Sequence, residues 1–415
     1  MPLHRPPAML VPLLAIALAV AGATPARAQI LGPVQGLPNL QVPGTNLPAV
    51  VPASPLRSVD DLLRGPLAIT RKLQIETLLR REPRRVDVDP HGAPVLRGEF
   101  LAMGLSAAQR DAVQALGFAV VREASADATL GLDFVVLHDT RGRSTARALH
   151  ALQQAVPDAA FTYQHLYLPA GQEDVAGATS AAAPSSGAPV QRVGLIDGGV
   201  DPADPALARA RIERHGCKTA NPSRHGTAVA ARLVAGDPDT LYAADLWCSD
   251  AVGGATSNLV DALAWMAREH VAVVNISLVG PDNPVLARAV QAMIARGHVL
   301  VSAVGNDGPA APPLFPAAYP GVIGVSGVDA HDRVLPEAGS GDQVDFCASG
   351  VAGNGRNALR GTSFAAPIVA RKAAHLLGAP EADGAAQTQQ QLAGEAHPLG
   401  ASNRDPRCGY GLLSP

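Results

Sequence analysis

The chain has 415 residues, 47% of them hydrophobic and 17% charged, with a net charge of −3 and a pI near 6.5. That length has room for two or three domains and a sizeable core. The near-balanced charge supplies no bulk attraction to nucleic acid or anionic membrane, which excludes both as electrostatic partners.

The N-terminus, "MPLHRPPAMLVPLLAIALAVAGATPARAQ", joins a basic start at Arg5 to an apolar run over Met9–Ala23 and a small-x-small end at Ala26-Arg27-Ala28. Such a segment reads as a secretory signal over residues 1–28, cleaved after Ala28, and the run is short for a membrane span. A secreted or periplasmic location is therefore expected, with no stable membrane insertion once the signal is removed. Export also bears on Cys217, Cys248, Cys347 and Cys408: four cysteines in an oxidising compartment suggest two disulfides. Proximity in sequence suggests Cys217–Cys248 and Cys347–Cys408, one of the three pairings that four cysteines allow.

Residues 29–94 read as a Pro-rich, partly disordered proregion. Within it Val59–Arg81 has the makings of a helix, and "RREPRR" at its end reads as a solvated charged run. Residues 95–169 are better patterned. "VLRGEFLAMG" alternates like a strand. "SAAQRDAVQALG" opens with Ser106 and Gln109 at capping-box spacing and closes on Gly117. "FAVVRE" and "DFVVLH" read as strands, "STARALHALQQAV" as a helix and "AAFTYQHLYL" as a strand. The order βαββαβ predicts a small ferredoxin-like domain without clustered catalytic groups. Residues 170–189, "AGQEDVAGATSAAAPSSGAP", are small and flexible in composition and read as a linker.

Residues 190–415 change character. Apolar strands at "QRVGLI", "TLYAADL", "VAVVNIS", "GHVLVSAV" and "GVIGVSG" alternate with helices at "GTAVAARLVA", "NLVDALAWMARE" and "NPVLARAVQAMIARG". Continuous apolar strands with helices between them predict a three-layer α/β/α fold around a mainly parallel sheet. In "LRGTSFAAPIVA" a final apolar helix runs from Phe364 to Leu377, with Thr362 and Ser363 as N-cap types and Pro367 in the first turn.

Chemistry in such a sheet collects at the carboxyl ends of its strands. Asp197 ends the first strand, Asn306 follows another, and His225 and Ser363 stand at helix starts. Singly, each has a structural explanation as a turn former or cap. Together they are the parts of an acyl-transfer centre. Ser363 would be the nucleophile, His225 the base that takes its proton, and Asp197 the carboxylate that fixes the imidazole. The Ser363 N–H and the Asn306 amide would serve as donors to an oxyanion. The order Asp, His, Ser is one of the arrangements known for this chemistry, and no Gly-x-Ser-x-Gly nucleophile elbow is present.

The blocks "GLIDGGV", "RHGTAVAARL", "NISLVGP", "AVGNDG", "FPAAYPGVIGVSGVD" and "GTSFAAPIVA" resemble, in order, the signature blocks of the subtilisin-like serine proteases. The resemblance implies a secreted serine endopeptidase acting on proteins or peptides, with Asp197, His225 and Ser363 as triad and Asn306 as oxyanion donor. It also implies that Ser277, Leu278, Val279, Gly280 and Gly254 bind substrate. The domain at 95–169 matches the propeptide many relatives carry, which assists folding, inhibits the enzyme and is cut away. Self-cleavage in the linker and a monomeric mature domain beginning near Val190 are expected. Val279 stands where glycine is common, and should narrow the pocket for the residue preceding the cut. Between His225 and "TLYAADL" the chain is too short for the calcium loop of many relatives. No cofactor or metal is expected, with Asp237 and Asp239 as weak calcium ligands at most. A catalytically dead binding relative is the alternative; it should lack one of the four groups, and none is missing.

Overall fold

The computed structural model describes residues 71–127, 129–171, 190–219, 221–237, 239–353, 358–400 and 404–414. The signal-like segment, the Pro-rich arm over 29–55 and residues 172–189 of the linker lie outside them. Two sheets organise the described chain, one antiparallel and one parallel.

The antiparallel sheet comprises β1 (Val86–Val88), β2 (Pro94–Met103), β3 (Phe118–Asp127), β4 (Leu132–Asp139) and β5 (Ala160–His165). β5, β2, β4 and β3 lie side by side, and β1 extends the β2 edge. Helices α2 (Ala107–Ala115) and α3 (Thr145–Ala155) make the crossovers, giving the βαββαβ order. α2 starts with the full capping box: Ser106 Oγ accepts from the Gln109 N–H, and Gln109 Oε1 accepts from the Ser106 N–H.

Period-2 alternation sends Phe100 and Leu101 to opposite faces, yet both are buried. Phe100, Phe118 and Leu137 pack with Val113, Leu149 and Leu152 of the two crossover helices. Leu101, Phe134 and Val136 instead join a cluster containing Leu259, Leu263 and Leu286, from the second part of the chain. The sheet is therefore sandwiched between its own helices and foreign ones.

Helix α1 (Arg71–Arg81) precedes this sheet and buries Ile75 and Leu78. "RREPRR" is almost wholly exposed, as expected of a solvated charged run. Arg80 and Arg81 close the helix, and Arg85 makes a bidentate pair with Asp250 at 2.8 and 2.6 Å. A departure concerns "AAFTYQHLYL". Only Ala160–His165 stays in the sheet, whereas Leu168–Pro169 forms β6 and pairs with β11 (Leu278–Val279) of the second part.

The parallel sheet has seven strands in the order β14-β13-β12-β10-β7-β9-β8. They are β7 (Arg192–Asp197), β8 (Arg211–His215), β9 (Thr240–Asp245), β10 (Val273–Ile276), β12 (Val299–Ala303), β13 (Ile323–Val328) and β14 (Phe346–Ser349). β8 and β14 are the two edge strands not expected from sequence. "RIERH" has no apolar run because only one of its sides is paired and its residues remain partly exposed. Helices α4 (Arg224–Val234) and α7 (Ala366–Leu376) share one hydrophobic cluster with the sheet. Helices α5 (Thr256–Arg268) and α6 (Pro284–Ala295) share another with it, which buries both faces. A last helix, α8 (Gly384–Glu395), contributes Leu392 to the first cluster. The cysteines pair as Cys217–Cys248 and Cys347–Cys408.

Candidate active site

Parallel strands end side by side, so the register decides which residues meet. Asp197 is the last residue of β7 and lies opposite Asp245, the last of β9. Burial, with the neighbouring Asp197 adding to it, pushes the Asp245 carboxyl up from its usual range. Asp197 is 1% exposed, and its Oδ1 accepts from the Gly198 N–H at 2.6 Å and meets His225 Nδ1 at 2.9 Å. A carboxylate can only accept, so Nδ1 carries the hydrogen and Nε2 keeps the lone pair. His225 is carried in by the first turn of α4, whose cap is Ser223: its Oγ accepts from the Gly226 N–H at 2.9 Å.

Ser363 comes from the opposite helix. Thr362–Phe364 form a 3₁₀ turn and α7 begins only at Ala366, so neither hydroxyl caps the helix. Thr362 Oγ1 accepts from the Gly305 N–H at 3.2 Å, and Ser363 Oγ donates to the Ser277 carbonyl at 3.1 Å. Pro367 stands in the first turn, as expected, leaving the preceding amides available. Phe364 packs beside the His225 ring, with centroids 5.2 Å apart.

Asn306 follows Gly305, whose φ of +96° supplies the left-handed turn that sequence could equally have given to the asparagine. Its amide is oriented from both ends. Oδ1 accepts from the Thr362 N–H at 3.1 Å, and Nδ2 donates to the Ala170 carbonyl at 2.5 Å. The same carbonyl accepts from the Ser363 N–H at 3.1 Å. Two donors therefore converge on one oxygen of the chain's own backbone.

The segment ending at that carbonyl lies in the cleft as an added strand. Tyr167 donates its N–H to the Gly254 carbonyl at 2.7 Å, and the Ala170 N–H donates to the Ser277 carbonyl at 3.1 Å. Pro169 and Leu168 stand opposite Leu278 and Val279. Gly254 and Gly280 are required by close approach: a Cβ on either would fall 2.1 Å from the Tyr167 carbonyl oxygen or 2.5 Å from its ring. Gly171 comes next, where a Cβ would lie 3.0 Å from His225 Nε2. Eight of the nine residues singled out from sequence thus lie against five consecutive residues of the same chain, and Asp197 stands behind His225.

Others were not anticipated. A cavity of about 20 Å³ beside Ala170 is lined by Val279, Asn306, Asp307, Glu337, Arg360 and Arg71 of α1. Glu337 is paired with Arg360 at 2.5 Å. Burial raises the Asp307 carboxyl, and the nearby Arg71 partly offsets that rise. Leu314 crowds Gly305 from the far side. Asp307 adjoins Asn306 inside "AVGNDG" and Arg360 lies in "LRGTSFAAPIVA", whereas Arg71, Leu314 and Glu337 lie outside every block, so patterning gives no signal for those three. Asp237 and Asp239, the carboxylates left as weak calcium ligands, are buried; Asp237 pairs with Arg371, and Asp239 Oδ1 accepts from the Gln191 N–H.

A parallel sheet that delivers Asp, His and Ser to one cleft, with an amide donor beside the serine, defines a class of serine peptidase fold. Residues 191–411 match the Subtilase family, and the chain belongs to that family. It is 32% identical over 198 residues to subtilisin DY of Bacillus licheniformis, covering 43% of this chain and 72% of that one. It is 31% identical over 167 residues to the minor extracellular protease Epr of Bacillus subtilis (strain 168), covering 39% of this chain but only 26% of Epr. Among solved structures, fervidolysin from Fervidobacterium pennivorans, a keratinolytic enzyme related to subtilisin, superposes with a TM-score of 0.62 at 19% identity. That superposition covers 79% of this chain and 61% of fervidolysin, and it shows the shared fold.

Proposed function

We propose that the chain is the precursor of an exported serine endopeptidase, with Ser363 as nucleophile, His225 as general base and acid, Asp197 as its orienting carboxylate and Asn306 as oxyanion donor. The observation that carries this reading is the Ala170 carbonyl, held at once by the Ser363 N–H and Asn306 Nδ2. Donors aimed at that oxygen stabilise charge that appears on it only when the carbonyl carbon is attacked.

The chemistry follows from the positions. Ser363 Oγ, parked on the Ser277 carbonyl in the uncut chain, turns to the Ala170 carbonyl carbon and gives its proton to His225 Nε2. The C–O bond forms, and the Ala170–Gly171 C–N bond then breaks. His225 passes the proton to the departing Gly171 nitrogen; a Cβ on that residue would lie 3.0 Å from His225 Nε2. Water then attacks the ester with His225 as base, which frees the Ala170 carboxylate and restores the serine. Asp197 stabilises the imidazolium in both halves without itself taking the proton.

On this reading the first substrate is the chain itself, and residues up to Ala170 form an inhibitory proregion. The cut falls at the first bond of the small-residue segment, leaving Gly171 rather than a residue near Val190 as the mature N-terminus. The antiparallel sheet would hold the product segment in place after cleavage, through Arg85–Asp250 and through Arg122, which bonds Ser257, Asn258 and Asp261. Export is supported by the signal-like N-terminus and by two disulfide pairs. No described helix is long and apolar enough to cross a membrane. A fluorophosphonate should label the mature protein on Ser363 and stop peptide hydrolysis. Hydrolysis that persists in Ser363→Ala protein would sink the assignment.

A further inference from the structure

The helix that carries His225 and the turn that carries Ser363 are joined at a second point. In α4, Arg232 stands seven residues after His225, on the same helical face and about 10 Å further along the axis. Its guanidinium fork spans the end of β14. Nη1 donates to the Val351 carbonyl at 2.7 Å, and Nη2 to the Ser349 carbonyl at 2.8 Å. Val351–Ala352 (β15) pairs antiparallel with Leu359–Arg360 (β16), and Gly361, Thr362 and Ser363 follow directly. The Gly350 carbonyl, between the two that Arg232 holds, accepts from the Gly361 N–H at 2.9 Å.

Gly361 is where this hairpin meets the site. Its φ is +144°, and a Cβ on it would lie 2.8 Å from Asn306 Nδ2 and 3.0 Å from the Ala170 carbonyl oxygen. Beyond it the chain is held from the oxyanion side, by Asn306 Oδ1 on the Thr362 N–H and by the Gly305 N–H on Thr362 Oγ1. Before it the chain is held from α4, by Arg232. That helix therefore grips the serine-bearing unit twice, through the His225–Phe364 ring contact and through the Arg232 fork. A hairpin that shifts along α4 changes the approach of Ser363 to His225.

Stability alone does not account for this choice of side chain. Among the described residues no carboxylate pairs with Arg232, and its Nε is buried without a partner. Burial lowers its pKa to about 10, which leaves it cationic at neutral pH. A buried charge answered only by carbonyl dipoles carries a desolvation cost that an apolar side chain of similar length avoids. What the guanidinium supplies instead is two donors in one rigid plane, which fix two carbonyls relative to each other and to α4. We infer that Arg232 is a positioning residue for the peptidase reaction. It locks the hairpin to the helix of His225, and so sets Ser363 and its N–H against the base and the reacting carbonyl. It acts through the backbone at Gly350 and Gly361, since its bonds go to the hairpin and not to the cleft segment. This rests on the reading that Asp197, His225 and Ser363 form a working peptidase site.

The test uses mature enzyme obtained from the full chain, with peptide hydrolysis expressed per site labelled by fluorophosphonate. Arg232→Met keeps much of the length and removes the donors. It should lower kcat about 10- to 100-fold, the scale of a catalytic group misplaced by about 1 Å, and leave KM within about twofold. KM should hold because Gly254 and Ser277, whose carbonyls bind the cleft segment, lie outside the hairpin. Arg232→Lys, which keeps the charge and one donor head, should recover part of kcat. Guanidinium ion added to Arg232→Ala should also recover kcat, while Arg232→Met, with the space filled, should not respond. Lost packing alone would show neither recovery. Unchanged kcat in Arg232→Met, or a rise in KM alone, would overturn the inference. So would a loss of kcat that neither lysine nor guanidinium relieves. Should Arg232→Met lack a cooperative denaturant transition, the lysine and guanidinium comparisons decide. In all these outcomes labelling of Ser363 in the unaltered enzyme leaves the peptidase assignment standing, whereas no hydrolysis and no labelling would remove both.

Discussion

The two faces of the parallel sheet serve different ends. One carries α4 and α7, which bring His225 and Ser363 to the strand ends over a cluster of mainly small and branched residues. The other carries α5 and α6, whose outer surfaces are covered by Leu101, Phe134 and Val136 of the antiparallel sheet. The first face is held by contacts that permit little substitution, since Ala228, Ala365, Ala366 and Ala370 are fully buried. The second interface adds exchangeable polar pairs at its rim, such as Arg85–Asp250 and Arg122–Asp261. Chemistry is built into the face that must not move. On the function proposed above, inhibition is built onto the outer surface of α5 and α6, from which residues up to Ala170 can separate.

That contrast predicts a ranking of effects. On the catalytic face, Ser363→Ala should reduce kcat for a peptide substrate by about 10⁶-fold, the scale measured on subtilisin, a member of the same family. Asn306→Ala should cost about 10²–10³-fold in kcat with little change in KM, again the scale known from subtilisin. A comparable rise in KM instead would mean that Asn306 merely binds. On the shed face, Arg122→Ala in a proregion added in trans should weaken inhibition about tenfold, because three polar groups on α5 lose their partner. An unchanged inhibition constant would mean that the cleft segment holds alone.

The smallest effect concerns pH. Burial pushes the Asp345 carboxyl up to about 6 from 3.8, against bonds from the Gly324 N–H, Arg404 and Gln389. Between those two values the folded chain holds a proton that the unfolded chain has released. Stability should therefore be greater at the acid end and fall as pH rises from about 4 through about 6, by on the order of 2 kcal/mol. Denaturant unfolding of Ser363→Ala protein across that range should show the slope, and Asp345→Asn should flatten it. A slope that survives the substitution would place its source elsewhere.

Sequence made the catalytic face legible because its strands are apolar on both sides and end on the polar residues that matter. Asp197, His225, Asn306 and Ser363 each stand at such an end or at a helix start, and the structure brings them together. Its edges were less legible. β8 lacks the uniform apolar run because it is paired on one side only, and β14, with four residues, is too short to show one. The reading of Ser363 and Thr362 as helix caps fails because a 3₁₀ turn intervenes and Gly305 and Ser277 claim their hydroxyls. The cleft segment was hidden for a different reason. Leu166–Pro169 continues the β pattern of Ala160–His165, and alternation cannot say that one strand serves two sheets. Leu314 and Arg71 are set by tertiary placement and carry no local mark.

The bond between Ala170 and Gly171 is where the proposed self-cleavage is tested most directly. N-terminal sequencing and intact mass of the secreted product, from the unaltered chain and from Ser363→Ala expressed in a protease-deficient host, would test it. A mature protein beginning at Gly171, together with a Ser363→Ala chain that keeps residues 29–170 attached, is the predicted result. A Ser363→Ala chain that still matures to Gly171, or an unaltered chain cut first at another bond, would contradict it.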